Sequence, residues 1–75
     1  MMNQGLLMRS DVQPGVMETA KFGNHFLTYV RCNGDGRVIS LARYNDEQAA
    51  RDGHQRWMSK DWRGRSVREL LRDDG

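Results

Sequence analysis

Residues 25–44, His-Phe-Leu-Thr-Tyr-Val-Arg-Cys-Asn-Gly-Asp-Gly-Arg-Val-Ile-Ser-Leu-Ala-Arg-Tyr, are two runs rich in β-branched and aromatic side chains on either side of Asn33-Gly34-Asp35-Gly36. Asn-Gly and Asp-Gly suit the turns whose twist matches paired strands, so the segment predicts a β-hairpin of His25–Cys32 with Arg37–Tyr44. With Cys32 opposite Arg37 and strict alternation, Phe26, Thr28, Val30, Cys32, Ile39 and Leu41 share one face. The other face then carries His25, Leu27, Tyr29, Arg31, Val38, Ser40, Ala42 and Tyr44. The first set is the better core.

Upstream of the hairpin, Val16–Phe22 reads as a strand closed by Gly23-Asn24, a dipeptide that tolerates the positive φ of a tight turn. Residues 1–15 mix short apolar pieces with Gly5, Pro14 and Gly15 and hold neither a strand nor a helix period, so they read as a flexible arm. Its Leu6-Leu7-Met8 cluster is either a sticky peptide for a sheet edge or groove of a partner, or a segment that folds back on its own core.

Downstream, Asn45 is placed to cap a helix, with Gln48 returning the bond. Ala50, Gly53 and Trp57 fall on one side of that helix, flanked by His54 and Met58, and should pack on the sheet. Gly53 costs about 1 kcal/mol relative to alanine in a helix interior, which points to a close approach between the helix backbone and a strand. Trp62 is roughly 140° out of phase with Trp57 on a straight helix, so either the helix ends before it or its indole is exposed. Gly64 is the expected helix stop. Ser66-Val67-Arg68-Glu69 forms a second capping box ahead of a short helix with Val67, Leu70 and Leu71 as its apolar side. A helix that short must dock on something. The expected fold is α+β, a three-stranded antiparallel meander packed on one main helix with a short C-terminal helix, in the order β-β-β-α-α, with residues 16–75 as a single domain after the arm.

Glu18-Thr19-x-x-Phe22-Gly23, then Arg43-Tyr44, then Ala50-x-x-Gly53-His54-x-x-Trp57 make an outline that resembles a diffuse group of very small tailed-bacteriophage proteins. The resemblance implies a phage setting and carries no activity with it.

Composition narrows the function classes. A 75-residue chain buries only about 60% of its unfolded surface, which disfavours a large enclosed active site. One cysteine, Cys32, allows neither an internal disulfide nor a cysteine zinc cluster from this chain alone. No apolar run is long enough for a membrane span and no signal peptide is evident, so the expected compartment is the cytoplasm of an infected bacterial host. A Cys32–histidine nucleophile pair would need a thiol exposed to its base, whereas Cys32 falls on the core face. His25 and Cys32 fall on opposite faces, which argues against a metal site with His54. His54 itself reads as a switch or ligand, or as padding at the core rim bonded to a backbone carbonyl. The Asn33–Gly36 loop lacks the acidic ligands of an EF-hand and the Gly-Lys-Ser/Thr of a phosphate loop. No enzyme activity, cofactor or metal is expected.

Two binding surfaces remain. The net charge of +2 conceals a basic stretch, where Arg56, Lys60, Arg63, Arg65 and Arg68 face only Asp61 between residues 54 and 68. With the Trp62 indole these cations could pair phosphates and stack a base, or be a solvated helix face. The second surface is the outer sheet face, where Tyr29, Tyr44, Leu27, Val38 and Arg31 gather residue types common at interface hot spots, or else a second core layer covered by the N-terminal arm or the last helix. The leading expectation is an accessory protein that docks on a host protein machine, such as RNA polymerase or a defence complex, through Tyr29, Arg31, Tyr44, Trp62, Arg63 and Arg65. Nucleic-acid binding by the basic region is the alternative, and a self-assembling or virion component, a homo-oligomer, is the third.

Overall fold

The computed structural model describes residues 5–64 and 67–74, the last two by their backbone alone. Four strands, β1 (Gly5–Val12), β2 (Gly15–Phe22), β3 (His25–Cys32) and β4 (Val38–Tyr44), precede two helices, α1 (Glu47–Met58) and α2 (Val67–Asp74). All four strands form one antiparallel sheet in the order β1-β2-β3-β4. The class is α+β, but the sheet has four strands where three were expected.

The extra strand is the segment expected to be a flexible arm. Its apolar pattern is broken by a β-bulge, with Leu6 opposite Ala20, Met8 opposite Thr19, and Leu7 extra between them. That interruption hides the period of two, and hydrogen bonding to β2 rather than local propensity fixes the strand. The hairpin between β3 and β4 has the expected turn. Cys32 N–H donates to the Arg37 carbonyl at 2.7 Å, Gly34 and Gly36 have φ of 86° and 70°, and the Asp35 carboxylate accepts from Arg37 N–H at 3.0 Å.

Beyond that turn strict alternation fails. Tyr29 pairs with Ser40 but Thr28 pairs with Ala42, so Leu41 is extra. The bulge carries Ala42 and Tyr44 to the helix side, opposite to their expected face. Both bulges lie on edge strands, where a twisted, irregular rim discourages pairing with a further chain.

One face of the sheet is covered by the helices. Met17, Val30, Leu41, Trp57, Trp62, Val67 and Leu70 form the buried cluster, with Val12, Cys32, Ile39, Met58 and Leu71 packed around it. The short α2 therefore docks on its own domain through the Val67 and Leu70 side foreseen for it.

Helix α1 begins one residue later than expected. Asp46, not Asn45, is the cap, with extended backbone and a carboxylate that accepts from Ala49 N–H at 2.8 Å. The charge of Asp46 also suits the positive end of the helix. Asp46→Ala should therefore cost about 1 kcal/mol, measured by urea unfolding, while Asn45→Ala should cost little.

The helix ends at Met58, well before Gly64. Ser59 supplies the stop, its N–H reaching Gln55 O at 3.1 Å and its hydroxyl Arg56 O at 2.7 Å. The chain then turns back, and the Trp62 Nε1–H donates to the Trp57 carbonyl at 2.9 Å. Trp62 is thus a buried C-terminal cap for α1, which resolves its phase mismatch with Trp57. Gly64, with φ of 67°, belongs to the turn before α2 instead. The second capping box involves Ser66, which lies outside the described residues.

Candidate functional site

The sheet leaves its second face without a helix. Register arranges that face in rows running across the strands. Leu6, Ala20, Leu27 and Arg43 form one row; Arg9, Glu18, Tyr29 and Ser40 the next; Asp11, Val16, Arg31 and Val38 the third. Leu6 and Arg43 owe their places in these rows to the bulges, whereas Arg9, Asp11, Val38 and Ser40 follow strict alternation from the adjoining turns.

From these rows Leu6, Glu18, Ala20, Leu27, Tyr29, Arg31, Val38 and Ser40, together with Phe22, line an open groove of about 560 Å³ that spans all four strands. Its walls include Leu6 and Val38, which are 52% and 55% exposed, the large hydrophobic residues that stand out from an otherwise ordinary surface. Ala20, small between Leu6 and Leu27 and only 3% exposed, forms a shallow notch in the groove floor. The Phe22 and Tyr29 rings meet with centroids 6.3 Å apart and form the aromatic part of the lining.

Glu18 sits inside the groove between two guanidiniums, with Arg9 at 3.9 Å and Arg31 at 3.7 Å. Its side chain is only 14% exposed, whereas those of Arg9 and Arg31 are 64% and 59% exposed. Tyr29 is the cross-strand neighbour of Glu18, and a hydrogen bond to that carboxylate bears on its phenol. Burial first, then that hydrogen bond and the Glu18 charge, raise the Tyr29 pKa, so the phenol stays a protonated donor.

On the helix side the Gly-His pair is structural. His54 is fully buried, its Nε2 2.9 Å from Ser10 Oγ and its Nδ1 2.7 Å from Thr19 Oγ1, which lies 2.6 Å from Thr28 Oγ1. Its partners are hydroxyls of β1 and β2, the second linked on to Thr28 of β3, rather than the backbone carbonyl expected. Thr19 has one proton for two close neighbours, so it donates to one and accepts from the other. Burial lowers the His54 pKa and keeps the ring neutral. Gly53, next to it, packs directly on the Tyr44 ring.

The expected site residues are thus divided. Tyr29 and Arg31 lie on the open face and line the groove. Tyr44 does not, because the β4 bulge turns it inward, where it borders a recess of about 130 Å³ with Trp57 and Lys60. Trp62, at 7% exposure, has no free ring to offer a partner or a base. Arg63 is exposed but pairs with Asp61 at 3.3 Å, and Lys60 lies over the Trp57 ring at 5.1 Å. Arg56 and Arg68 are exposed on different helices, and Arg65 lies outside the described residues. Leu6, singled out in the sequence as part of a sticky segment, enters the site by pairing β1 to the domain's own sheet, and the residues that sequence reasoning missed are Arg9, Glu18, Ala20 and Phe22, brought in by β1 and the outer side of β2.

Among the described residues, no group of three or more His, Cys, Asp or Glu side chains converges, and no helix is long and apolar enough to cross a membrane. Comparison with protein-family models, curated proteins and solved structures finds no match to the chain.

Proposed function

We propose that the chain is a small accessory binding protein of a tailed bacteriophage, and that it docks on a host protein machine, such as RNA polymerase or a defence complex, through the helix-free face of its sheet. The observation that carries this reading is the open groove. Apolar surface gathered in one concavity across four strands, rimmed by polar and charged side chains, is the arrangement of a protein interface rather than of scattered surface residues. The sequence outline shared with small phage proteins supplies the setting. A nucleic-acid role has less support, because the aromatic ring that would stack a base is buried as the cap of α1.

The test is capture of the tagged protein from a nuclease-treated bacterial lysate, beside Leu6→Asp and Val38→Asp variants. Both positions are more than half exposed, so the variants should fold. A stoichiometric host protein that survives nuclease and moderate salt with the parent chain, and is lost with both variants, is the expected result. Retention by both variants would exclude the groove as the docking surface, and partners that vanish with nuclease would favour nucleic acid.

A further inference from the structure

Resting on that docking face, we infer that its occupant is an acidic amphipathic segment of another protein, with a large apolar side chain seated over Ala20 and a carboxylate on Arg31. Charge complementarity favours this chemistry. Arg9 and Arg31, both well exposed, share the single recessed carboxylate of Glu18, so the pair of guanidiniums keeps one positive charge to offer. Arg43 adds another exposed cation at the end of the Ala20 row, and Asp11 is the other acidic side chain of these rows. Adjacent rows along a strand are about 7 Å apart, so an apolar group over Ala20 and a carboxylate two rows away fit on one short segment. Arg31 lines the groove beside Glu18, and its exposed guanidinium can take a planar carboxylate in a forked pair of hydrogen bonds.

A second copy of the chain suits the face less well. Three strands of eight residues and one of seven give a face of about 19 Å by 26 Å, hence roughly 1,000 Å² of total buried area in a face-to-face pair. Permanent homodimers bury 2,000 Å² or more, while the lower figure belongs to weak or transient contacts. Such a pair would also oppose the same excess of arginine on both sides.

The experiment is selection of a random 12-residue peptide display library on the immobilised full-length protein, followed by titration of the enriched synthetic peptides. The expected peptides combine a large apolar residue with Asp or Glu. Their affinity should fall at least tenfold with Arg31→Gln, which avoids placing a second acid beside Glu18, and with Ala20→Leu, which fills the notch. It should be unchanged with Arg56→Gln and should weaken as salt rises, with thermal melts confirming that each variant is folded. Peptides that need the notch but show no acidic preference would overturn this inference and leave the docking reading standing. No enrichment, or peptides indifferent to Ala20→Leu, would overturn both. A concentration-dependent dimer in sedimentation, dissolved by Ala20→Leu, would assign the face to a second copy and overturn this inference as well.

Discussion

Replacing His54 with leucine should lower the unfolding free energy at pH 8 by about 2–4 kcal/mol, measured by urea denaturation, through the loss of two hydrogen bonds and the stranding of Thr19 and Ser10 hydroxyls. A chain of this length has a total stability of about 4–11 kcal/mol, so the variant should lose a large share of it. Leucine has nearly the volume of the imidazole, so the loss reports chiefly on the polar network rather than on a cavity. The network joins α1 to three strands at once: Ser10 in β1, Thr19 in β2 and Thr28 in β3. Removing its centre should loosen the edge strand β1 first, because β1 reaches the helix layer partly through Ser10. Hydrogen exchange should therefore rise most in residues 5–12. A variant of parental stability, or one in which β1 keeps its protection, would show that the imidazole merely fills space.

The same group makes stability depend on pH in a defined direction. Burial holds the folded-state pKa of His54 below its unfolded value, about 6.5, so between the two values the unfolded chain binds the extra proton. The His54 contribution is therefore complete above about pH 6.5 and is lost as pH falls toward the folded pKa. Its two partners, Ser10 and Thr19, are hydroxyls, which accept a hydrogen bond from a charged ring but supply no negative charge. Stability of the parent chain should decline between pH 7 and pH 5, and the difference between its profile and that of the leucine variant isolates His54 from other titrating groups. A parallel pair of profiles would refute the assignment.

The parts of this fold legible in the sequence are those encoded locally. The Asn33–Gly36 and Gly23-Asn24 turns announce themselves through residues that tolerate positive φ, and the strands between them follow. Strand β1 and the inward turn of Tyr44 were hidden for one reason. Each depends on a bulge, a single extra residue that reverses alternation, and the placement of Leu7 and Leu41 is decided by pairing with a neighbouring strand. The candidate site inherits that difficulty, since its β1 wall exists only because Leu6 and Met8 point to opposite faces. Trp62 was ambiguous because its role is to bond a carbonyl exposed by the helix end. The outline that suggested a phage protein has a physical meaning of its own: Thr19 meets His54, and Tyr44 meets Gly53, so these four members form the joint between sheet and helix. Two other members, Glu18 and Phe22, face the groove on the opposite side of the sheet.

That joint also makes Gly53→Ala an informative substitution, because two effects of opposite sign compete. In an exposed helix interior the change should stabilise by about 1 kcal/mol. Here a methyl group on Gly53 would overlap the Tyr44 hydroxyl and the ring atoms beneath it. Relief requires the whole ring to leave its place at the end of β4 or the helix to lift from the sheet. Either movement costs more than the propensity gain, and the net loss should be about 2 kcal/mol, within the range for an overpacked core. Placed in a Tyr44→Ala background, the same Gly53→Ala change has no ring to displace and should become stabilising by about 1 kcal/mol, a coupling of about 3 kcal/mol. The inversion of sign is the decisive readout of urea unfolding on the four members of the cycle. Additive effects would mean that α1 and the Tyr44 ring are not in contact, and that the glycine is retained for some reason other than close approach.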